Sequence, residues 1–518
     1  MKPYQHLIQL VEQHAIERPN DIAYISMGNE TTWGQYIQDI YRVANSFIKL
    51  GLKRGDKIAT ILPQTPAFMN IYMAASALGL VLVPLDPRFK KKELIDLAER
   101  TKPKLLVAMA NIESVKLEIE QFLELRTIEH VYSYMGSFDN LLVQPYERLL
   151  EETSSPLSSE YLPSPEDPFV IVFTSGSTGL PKGAMLTYNN TFAMASNFIK
   201  TWQFTHKDRI LMNLTNSHVG GTHNHLAVQL YSGCVAVLSP KFSPIEVLEF
   251  ISKYKVTYIL GVTTMFRLMF NSYDVKKYNV SSLRIVAVSG ENVPKEFVIK
   301  MKDNFPKAVI GTGWGMTETS GFYSYTRIDD SIEVISQTAG IAADGFEMKI
   351  VKGDGTNATT GEVGEIYVRG DSVMPRYMDE DHNVDAFDQG WLKTGDLGYL
   401  DNRNYLHFVG RVKEIYISGG YNVSTREIES FLNEHPKINT SCIIDVPDEV
   451  WGQSAYAFIV PKENTNLTIE EVAAYCKENL ANYKQPRKII FVNEIPKTTV
   501  GKIAKHVLRS NIHKYVMA

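Results

Sequence analysis

Residues 169–183 read FVIVFTSGSTGLPKG, an apolar run of five residues followed by a loop rich in glycine and hydroxyl side chains. A continuous run of valine, isoleucine and phenylalanine is typical of a strand that is buried on both faces. The loop ends near a lysine and holds glycines, at which a bound group can approach the backbone closely. The stretch therefore indicates a buried strand that leads into a phosphate-binding loop.

The loop differs from a Walker phosphate loop. That motif places its lysine directly before a serine or threonine at the start of a helix, whereas Lys182 follows a proline and precedes Gly183. A helix dipole therefore cannot receive the phosphate in the same way. The loop offers hydroxyl donors, close backbone approach and a cation, through Thr174, Ser175, Gly176, Ser177, Thr178, Gly179 and Lys182. The alternative is a surface loop without a ligand, and the loop alone leaves the reaction open.

Strand-like and helix-like segments alternate on both sides of this loop. DKIATILP (56–63) and LVLVPLDP (80–87) are typical of buried strands, and residues 31–51 have the apolar spacing of a helix that ends at Gly51. After the loop, RILMNL, CVAVLS, VTYILGV and RIVAVSG are strand-like, with helical stretches between them. This alternation favours parallel sheets with helices on both faces.

The pattern changes in the last third of the chain. Residues 340–410 contain short strands punctuated by glycine, such as GEIYVRG (364–370), which predict a small antiparallel or barrel-like subdomain. The final segment alternates strands with helices such as TREIESFLNEH (425–435), which predicts a compact α+β domain. At 518 residues, the chain is long enough for two or three domains.

Composition narrows the class of protein. The net charge of -5 gives no basic field that would recruit nucleic acid. The three cysteines, Cys234, Cys442 and Cys476, lie too far apart for a zinc or disulfide framework and favour a reducing compartment. The chain begins without an apolar signal segment and contains no run of eighteen apolar residues. We therefore expect a soluble cytoplasmic protein without a transmembrane segment.

Four further motifs follow the loop in order. They are GWGMTE (313–318), KTGDLGYLD (393–401), GRVKEIYISGGYNVSTREIE (410–429) and PKTTVGKI (496–503). With these motifs the sequence resembles the acyl-adenylate-forming superfamily, which includes acyl-CoA synthetases, carrier-loading adenylation domains and luciferases. The resemblance implies an α/β fold. An N-terminal region, 1–412, would hold two doubly wound β/α subdomains and a small β-barrel, and a mobile C-terminal α+β domain would span 413–518.

The resemblance also implies a two-step reaction. A carboxylate attacks the α-phosphate of ATP to give acyl-AMP and pyrophosphate, and a thiol then displaces AMP. Because an anion approaches a polyanion in the first step, cations and oriented donors are needed. By resemblance, loop 174–183 cradles the β- and γ-phosphates, Thr317 contacts phosphate and Glu318 belongs to the Mg²⁺ site, as suits a hard cation. Lys502 is matched to the adenylation lysine, which makes the expected catalytic residues Lys502, Thr317 and Glu318.

The remaining nucleotide contacts are expected from the same motifs. Trp314 falls where the family usually has a tyrosine that stacks on adenine, so stacking is kept and a phenolic hydrogen bond is lost. Asp396 and Arg411 match the ribose contacts, and a carboxylate can accept from both ribose hydroxyls. The other residues matched to ATP or AMP binding are Gly290, Glu291, Asn292, Gly315 and Met316.

Transfer to the thiol is expected to use other positions. Lys413 matches the hinge about which the C-terminal domain rotates between the two half-reactions. Gly419 and Gly420 match the tunnel of the pantetheine arm, where a side chain would obstruct the thiol; a tight turn is the plain alternative for two glycines. The expected cofactors and co-substrates are ATP, Mg²⁺ and CoA.

The acyl pocket is expected to lie along NSHVGGTHNH (216–225). By resemblance His218 closes it near the reacting carboxylate, and Val219, Gly220 and Gly221 line it, with polar contacts from Thr222, His223 and Asn224. A zinc site at the histidines is disfavoured because no cysteine or carboxylate accompanies them.

Two comparisons within the family narrow the expected acid. Gly315 stands where acetyl-specific relatives carry tryptophan, which disfavours acetate. No acidic residue occurs between Asp208 and Glu246, which disfavours an amino acid. We therefore expect a medium-chain, branched or aromatic acid as the substrate and CoA as the acceptor. The tail of the acid could also carry a polar group.

Two other readings stay open. A free-standing enzyme that loads an acyl carrier protein would use the same phosphopantetheine thiol. A non-catalytic adenylate- or acyl-binding regulator is disfavoured because Lys502, Glu318 and Asp396 are all present. The oligomeric state, monomer or homodimer, is not determined by the sequence.

Overall fold

The computed structural model describes residues 5–89, 91–124, 128–174, 181–289, 293–412, 415–418, 421–448, 451–480, 482–497 and 503–516. These residues form two compact units. The first is drawn from Met1–Met348, Val368–Leu392 and Asn404–Leu406, and the second from Lys349–Tyr367, Lys393–Arg403 and His407–Ala518.

The first unit contains two mixed sheets. In the described chain, one sheet has nine strands in the spatial order β16 (Ile341–Ala342), β15 (Gly321–Tyr325), β14 (Val309–Met316), β13 (Ile285–Ser289), β12 (Tyr258–Val262), β10 (Arg209–Met212), β11 (Val235–Leu238), β1 (Ile22–Ser26) and β2 (Asn29–Thr32). Its middle strands are parallel, whereas β15 runs antiparallel to β14. The strand order departs from the chain order, as expected when helical crossovers connect parallel strands.

The second sheet of this unit carries the phosphate-loop motif. Within the described ranges it has eight strands, in the order β19 (Arg376–Tyr377), β9 (Lys182–Thr187), β8 (Pro168–Thr174), β4 (Val81–Pro84), β3 (Lys57–Ile61), β5 (Leu105–Met109), β6 (His130–Tyr134) and β7 (Val143–Pro145). At one edge, β9 pairs antiparallel with both β19 and β8, and the remaining pairs are parallel.

Helices connect and cover these sheets. Their bounds are α1 (Leu7–Glu17), α2 (Trp33–Lys49), α3 (Pro66–Leu78), α4 (Lys91–Thr101), α5 (Glu113–Leu123), α6 (Tyr188–Trp202), α7 (Val228–Ser232), α8 (Pro244–Tyr254), α9 (Thr263–Ser272), α10 (Lys295–Asn304) and α11 (Ile332–Gln337). A π-helical stretch, Gly220–Ala227, leads directly into α7.

Local sequence explains where these helices begin and end. The α2 helix starts with a reciprocal capping box, in which the Thr32 and Gln35 side chains each bond the other's backbone N–H. Gly51, the predicted stop, has φ +78°, which a residue with a side chain rarely adopts. Helix α3 begins with proline and ends at Gly79, which is in the left-handed conformation.

The strand-rich region and the last domain follow. The first forms a sheet of β17 (Phe346–Val351), β18 (Gly364–Gly370), β20 (Phe387–Asp388), β21 (Trp391–Leu400) and β22 (Leu406–Arg411). The second combines a sheet with helices, and its elements are β23 (Ile415–Ser418), β24 (Tyr421–Ser424), α12 (Thr425–Asn433), β25 (Ile438–Asp448), β26 (Gly452–Pro461), α13 (Ile469–Asn479), β27 (Lys488–Phe491), α14 (Lys505–Ser510) and α15 (Ile512–Val516).

The predicted fold class is therefore confirmed: two β/α sheets, a strand-rich region and a C-terminal α+β domain. The domain boundary expected between 412 and 413 stays a prediction. Among the described residues, no helix combines the length and apolar character needed to cross a membrane.

Candidate active site

The strands on either side of the phosphate-loop motif, β8 and β9, pair antiparallel. Thr174 at the end of β8 is the cross-strand partner of Lys182 at the start of β9, and the Thr174 hydroxyl donates to the Lys182 carbonyl at 3.4 Å. A strand rather than a helix follows the lysine, which agrees with the distinction from a Walker loop. Residues 175–180, which include the expected contacts Ser175, Gly176, Ser177, Thr178 and Gly179, lie outside the described residues.

Arg100 on α4 binds the chain at the end of this loop, just before β9 begins. Its Nη2 atom donates to the Pro181 carbonyl at 2.8 Å and to Asp379 Oδ2 at 2.6 Å. The guanidinium also lies 5.3 Å from the centre of the Phe173 ring, on the strand that enters the loop. Arg100 therefore links both ends of the loop, and the motif search missed it because it lies 81 residues before Pro181.

Glu318 is buried just beyond β14. Thr317 and Glu318 lie in a short 3-10 turn, and their exposed fractions are 7% and 6%. The Tyr377 hydroxyl donates to Glu318 Oε1 at 2.6 Å, and the Met374 backbone N–H donates to the Glu318 carbonyl at 2.8 Å. Burial, together with the Glu318 carboxylate, raises the pKa of Tyr377 well above its usual value, so the phenol stays a donor.

Lys182 contacts the ring of Tyr377 as well. Its Nζ atom lies 5.2 Å from the centre of the Tyr377 ring, a cation–π distance. The approach follows from the sheet, because Tyr377 on β19 pairs with Ala184 on β9, two residues beyond Lys182. Tyr377 thus contacts the cation of one motif and the carboxylate of another, although no sequence pattern had singled it out.

The segment before β19 is tied to both motifs. The Asn190 amide at the start of α6 donates to the carbonyls of Asp371 and Val373, at 2.7 and 3.0 Å. The Ser320 hydroxyl, two residues beyond Glu318, donates to the Ser372 carbonyl at 2.8 Å. These bonds hold the chain that delivers Tyr377 against the turn that carries Glu318.

The adenine-stacking candidate and its neighbours lie on β14. Trp314 is only 8% exposed, and its cross-strand partner is Ser324 on β15. A side-chain carbon on Gly315 would lie 2.0 Å from the Gly321 carbonyl oxygen, so the close approach of β15 requires glycine there. This backbone contact is one structural reason for Gly315, and its expected role in pocket depth stays a prediction. Met316 is the residue that precedes the 3-10 turn.

The expected acyl segment forms a tight turn into the π-helix. His218 is exposed, whereas Val219, Gly220 and Gly221 are buried. The Gly220 N–H donates to His218 Nδ1 at 3.0 Å, which leaves the proton of the neutral ring on Nε2. A side chain on Gly221 would lie 2.3 Å from the Thr215 carbonyl oxygen, so this glycine is required by the turn.

The other two histidines of this segment are fully buried. His223 lies between two hydroxyls, with Nε2 3.1 Å from Thr191 Oγ1 and Nδ1 2.9 Å from Thr222 Oγ1. Burial lowers the pKa of His223 and of His225 to about 3, so both rings are neutral. In the described part of the chain, no group of three or more histidine, cysteine or acidic side chains could hold a metal ion.

The ribose candidates pair with each other in the second unit. Arg411 Nε donates to Asp396 Oδ1 at 3.0 Å, and the Asp396 side chain is only 4% exposed. The Asp396 N–H donates to Thr394 Oγ1 at 3.1 Å, which orients the turn. Six other expected residues lie outside the described residues: Gly290, Glu291, Asn292, Gly419, Gly420 and Lys502, together with the hinge residue Lys413.

Comparison with known proteins supports the same assignment. The chain matches the family model for AMP-binding enzymes over residues 11–378 and that for the AMP-binding enzyme C-terminal domain over residues 427–502. It is 32% identical to a propanoyl:CoA ligase of Rhodococcus jostii, whose acyl group carries a dioxo-octahydro-indenyl ring, over 88% of this chain and 89% of that protein. It is 29% identical to the medium-chain fatty-acid–CoA ligase of Escherichia coli, over 97% and 89% of the two chains.

A solved structure has the same fold over nearly the whole chain. The o-succinylbenzoate CoA synthetase of Bacillus subtilis, in complex with its acyl-adenylate intermediate, superposes with a TM-score of 0.85 and 27% identity, and the match covers 96% of this chain and 97% of that one. With both domain models matched and CoA ligases among the relatives, the chain belongs to the AMP-binding enzyme family and is an AMP-forming acid–thiol ligase of the acyl-CoA synthetase type.

Proposed function

We propose that this enzyme activates a medium-chain, branched or aromatic carboxylic acid and transfers the acyl group to CoA. A carboxylate oxygen forms a bond to the α-phosphorus of ATP as the bond to the β-phosphate oxygen breaks, and pyrophosphate leaves. The CoA thiolate then forms a bond to the acyl carbon as the bond to the phosphate oxygen breaks, and AMP leaves. Both steps need charge stabilisation, because anions meet in the first and an anion departs in the second.

The observation that carries this proposal is the convergence of Lys182 and Glu318 on Tyr377. In our proposal Lys182 and the hydroxyls of loop 174–178 neutralise and bind the β- and γ-phosphates, and Thr317 donates to phosphate. A buried carboxylate next to a threonine hydroxyl suits Mg²⁺, which when bound would neutralise phosphate charge. Tyr377 would keep the Glu318 carboxylate oriented for that role.

The other expected roles remain part of the proposal. Asp396 accepts from the ribose hydroxyls, with Arg411 beside it. Trp314 stacks on adenine, and residues 290–292 meet its edge. Lys502 acts in adenylation, and the domain from residue 413 rotates about Lys413 so that the thiol enters past Gly419 and Gly420.

Relatives support the proposed range of acids. One named relative is a medium-chain fatty-acid–CoA ligase, and others are a 4-coumarate–CoA ligase of Humulus lupulus and an indoleacetate–CoA ligase of Aromatoleum aromaticum. Chains and aromatic rings are therefore both accepted within this group. Each of the three cysteines is buried and none of them forms a disulfide, which supports the cytoplasm as the proposed compartment.

The deciding experiment offers ATP, Mg²⁺ and a mixed panel of carboxylic acids to the purified enzyme and detects thioesters by mass spectrometry. Free CoA and a phosphopantetheinylated carrier protein are offered in parallel. We expect one class of acyl-CoA product. A thioester only on the carrier would instead make the enzyme a carrier-loading ligase, and the absence of any adenylate would contradict the proposal.

A variant separates the two half-reactions. Lys502→Ala should lower adenylate formation by more than about 100-fold, since one charge-assisted contact to the reacting phosphate is worth about 2.7–4 kcal/mol. Thioester formation from synthetic acyl-AMP should stay within a few-fold of wild type. Lys514→Ala, which removes an exposed lysine of the same domain, is the matched control.

A further inference from the structure

Six aromatic side chains pack together in the first unit, behind the GWGMTE strand. We call them the aromatic cluster; they come from α6, the following loop, β12 and β15 and are Phe198, Trp202, Phe204, Tyr258, Phe322 and Tyr325. The ring centres of Phe198 and Tyr258, and of Phe198 and Tyr325, are 5.8 Å apart, and those of Phe204 and Tyr258 are 5.0 Å apart. A ring at the centre, Phe198, therefore contacts both tyrosines.

The cluster holds several buried polar atoms without partners. Within the described residues, the Tyr258 and Tyr325 hydroxyls, the Trp202 indole N–H and both ring nitrogens of His225 make no hydrogen bond. The His225 and Tyr258 ring centres are 6.3 Å apart in an edge-to-face arrangement. All four side chains are at most 2% exposed, so bulk water does not reach them.

Five unpaired polar atoms in one place require a physical reason. Leaving a buried donor or acceptor unsatisfied costs about 1–3 kcal/mol, and native proteins keep few such atoms. Structural histidines elsewhere in this enzyme are satisfied, as His223 is by Thr191 and Thr222. A core built only for stability would carry phenylalanine and leucine here. A bound ligand that carries oxygen atoms would satisfy them.

Two contacts place the cluster next to the expected acyl segment and the nucleotide motif. His225 lies on the π-helical stretch Gly220–Ala227, which begins two residues beyond His218, and its ring packs edge-to-face against Tyr258. Phe322 is the cross-strand partner of Gly315, and its ring lies 2.9 Å from the position of a side-chain carbon on Gly313. The cluster thus borders the expected acyl segment through His225 and the strand of the nucleotide motif through Phe322.

The chemistry of the unpaired atoms defines the partner. The neutral imidazole of His225 offers one donor and one acceptor, each phenol offers both, and the indole offers a donor. Arg284 lies 5.5 Å from the Phe204 ring centre, but it is paired with Asp208 at 3.1 Å. A charged substrate tail would lack a counter-ion here. A neutral oxygen on an apolar tail could instead accept hydrogen bonds from the phenol and indole groups, while the rest of the tail packs against the rings.

We propose that the aromatic cluster forms the far end of the acyl pocket and selects carboxylic acids whose tail carries a carbonyl or hydroxyl oxygen. This inference rests on the proposed acyl-CoA ligase activity and narrows its substrate class. Donors from Tyr258, Tyr325 and Trp202 bond the tail oxygen, while the surrounding rings cover the rest of the tail. His225 bonds the same oxygen or orients the Tyr258 phenol.

The test compares two tails of equal length. Stable acyl-sulfamoyl-adenosine analogues carrying an octanoyl or a 7-oxooctanoyl group are bound to the enzyme and their dissociation constants are measured by calorimetry. We expect the oxo analogue to bind at least tenfold more tightly. In Tyr325→Phe and Tyr258→Phe the preference should fall several-fold, with the octanoyl analogue bound as well as or better than in wild type.

Tyr36→Phe is the matched control, because it removes a buried phenol that donates to the Met69 carbonyl elsewhere in the same unit. It should leave the preference unchanged. Equal binding of the two analogues, or a preference untouched by either cluster variant, would overturn the proposal and assign the polar atoms to ordered water. Tail preference with no thioester from any acid would instead contradict the proposed ligase reaction and leave the pocket inference standing.

Discussion

The hydroxyl of Tyr377 donates a hydrogen bond to the carboxylate of Glu318 over 2.6 Å, although 59 residues separate the two in the sequence. The bond is short because the acceptor is charged, and both side chains are buried. Glu318 belongs to a motif that sequence reasoning found, whereas Tyr377 belongs to a two-residue edge strand that it did not. Tyr377 is in our view a positioning residue for the nucleotide site.

Tyr377→Phe should therefore weaken the response to Mg²⁺. A hydrogen bond to a charged group contributes about 1.5–3 kcal/mol, so we expect adenylation to fall roughly 10- to 100-fold at limiting Mg²⁺ and to recover partly at high Mg²⁺. Pyrophosphate release across a Mg²⁺ titration measures the first effect, and Mn²⁺ binding followed by electron paramagnetic resonance gives a reading independent of turnover. Tyr405→Phe is the control, since that phenol also donates to a carboxylate, Asp330, at 2.6 Å. If both variants changed the Mg²⁺ dependence of adenylation equally, the Tyr377–Glu318 hydrogen bond would have only a structural role.

Arg100→Lys should raise the KM for ATP by about tenfold. Lysine keeps the charge but cannot bond the Pro181 carbonyl and Asp379 at the same time. The end of the phosphate loop therefore loses the side chain that fixes it. Steady-state kinetics over ATP concentration measures the change, and the KM for the acid should stay the same. The matched control is Arg369→Lys, because Arg369 also pairs with a carboxylate, Glu347, and lies 4.4 Å from the centre of the Trp391 ring. An unchanged KM for ATP in Arg100→Lys would contradict this role.

Asp396→Asn should weaken nucleotide binding at all Mg²⁺ concentrations. The amide keeps the shape but loses the charge that pairs with Arg411 and one acceptor for the ribose hydroxyls. We expect AMP binding, measured by calorimetry, to weaken by about 1.5–3 kcal/mol. Asp401→Asn, which removes a carboxylate near His407 in the same sheet, should bind AMP as wild type does. Similar losses in both variants would indicate a general effect on the sheet.

Stability should fall as the pH drops from about 6.5. Burial lowers the pKa of His223 to about 3, so between pH 6.5 and 3 the unfolded chain binds a proton that the folded chain does not. Between pH 6.5 and 3, each such histidine lowers the free energy of unfolding by about 1.4 kcal/mol for each pH unit of acidification. Above that range its contribution does not change with pH. His223→Gln should make the unfolding free energy depend less steeply on pH, because the unfolded chain then takes up about one proton fewer. Urea unfolding at pH 7.0 and 5.5 measures this difference. His206→Gln, at an exposed histidine, should leave the pH dependence unchanged.

Sequence reasoning predicted the elements well where each depends on neighbouring residues. The strands β8, β12 and β13, the helix that stops at Gly51 and the C-terminal α+β domain are all present. It was less informative about why a glycine occurs. The pocket roles expected for Gly315 and Gly221 stay predictions, and the structure adds that each glycine lets another stretch of backbone approach closely. Those approaches depend on how two strands or a turn pack, which one sequence does not reveal.

The sequence by itself determined the family, the fold class and the order of the motifs, because strands, turns and phosphate-directed loops are specified by residues within a few positions of one another. Only the tertiary structure decided which residues support those motifs. Arg100 reaches Pro181 and Asp379 across 81 and 279 residues, and Tyr377 joins Lys182 to Glu318, because the pairing of β8, β9 and β19 brings their chains together. Contacts of that kind depend on sheet order, and sheet order is a property of the whole folded chain.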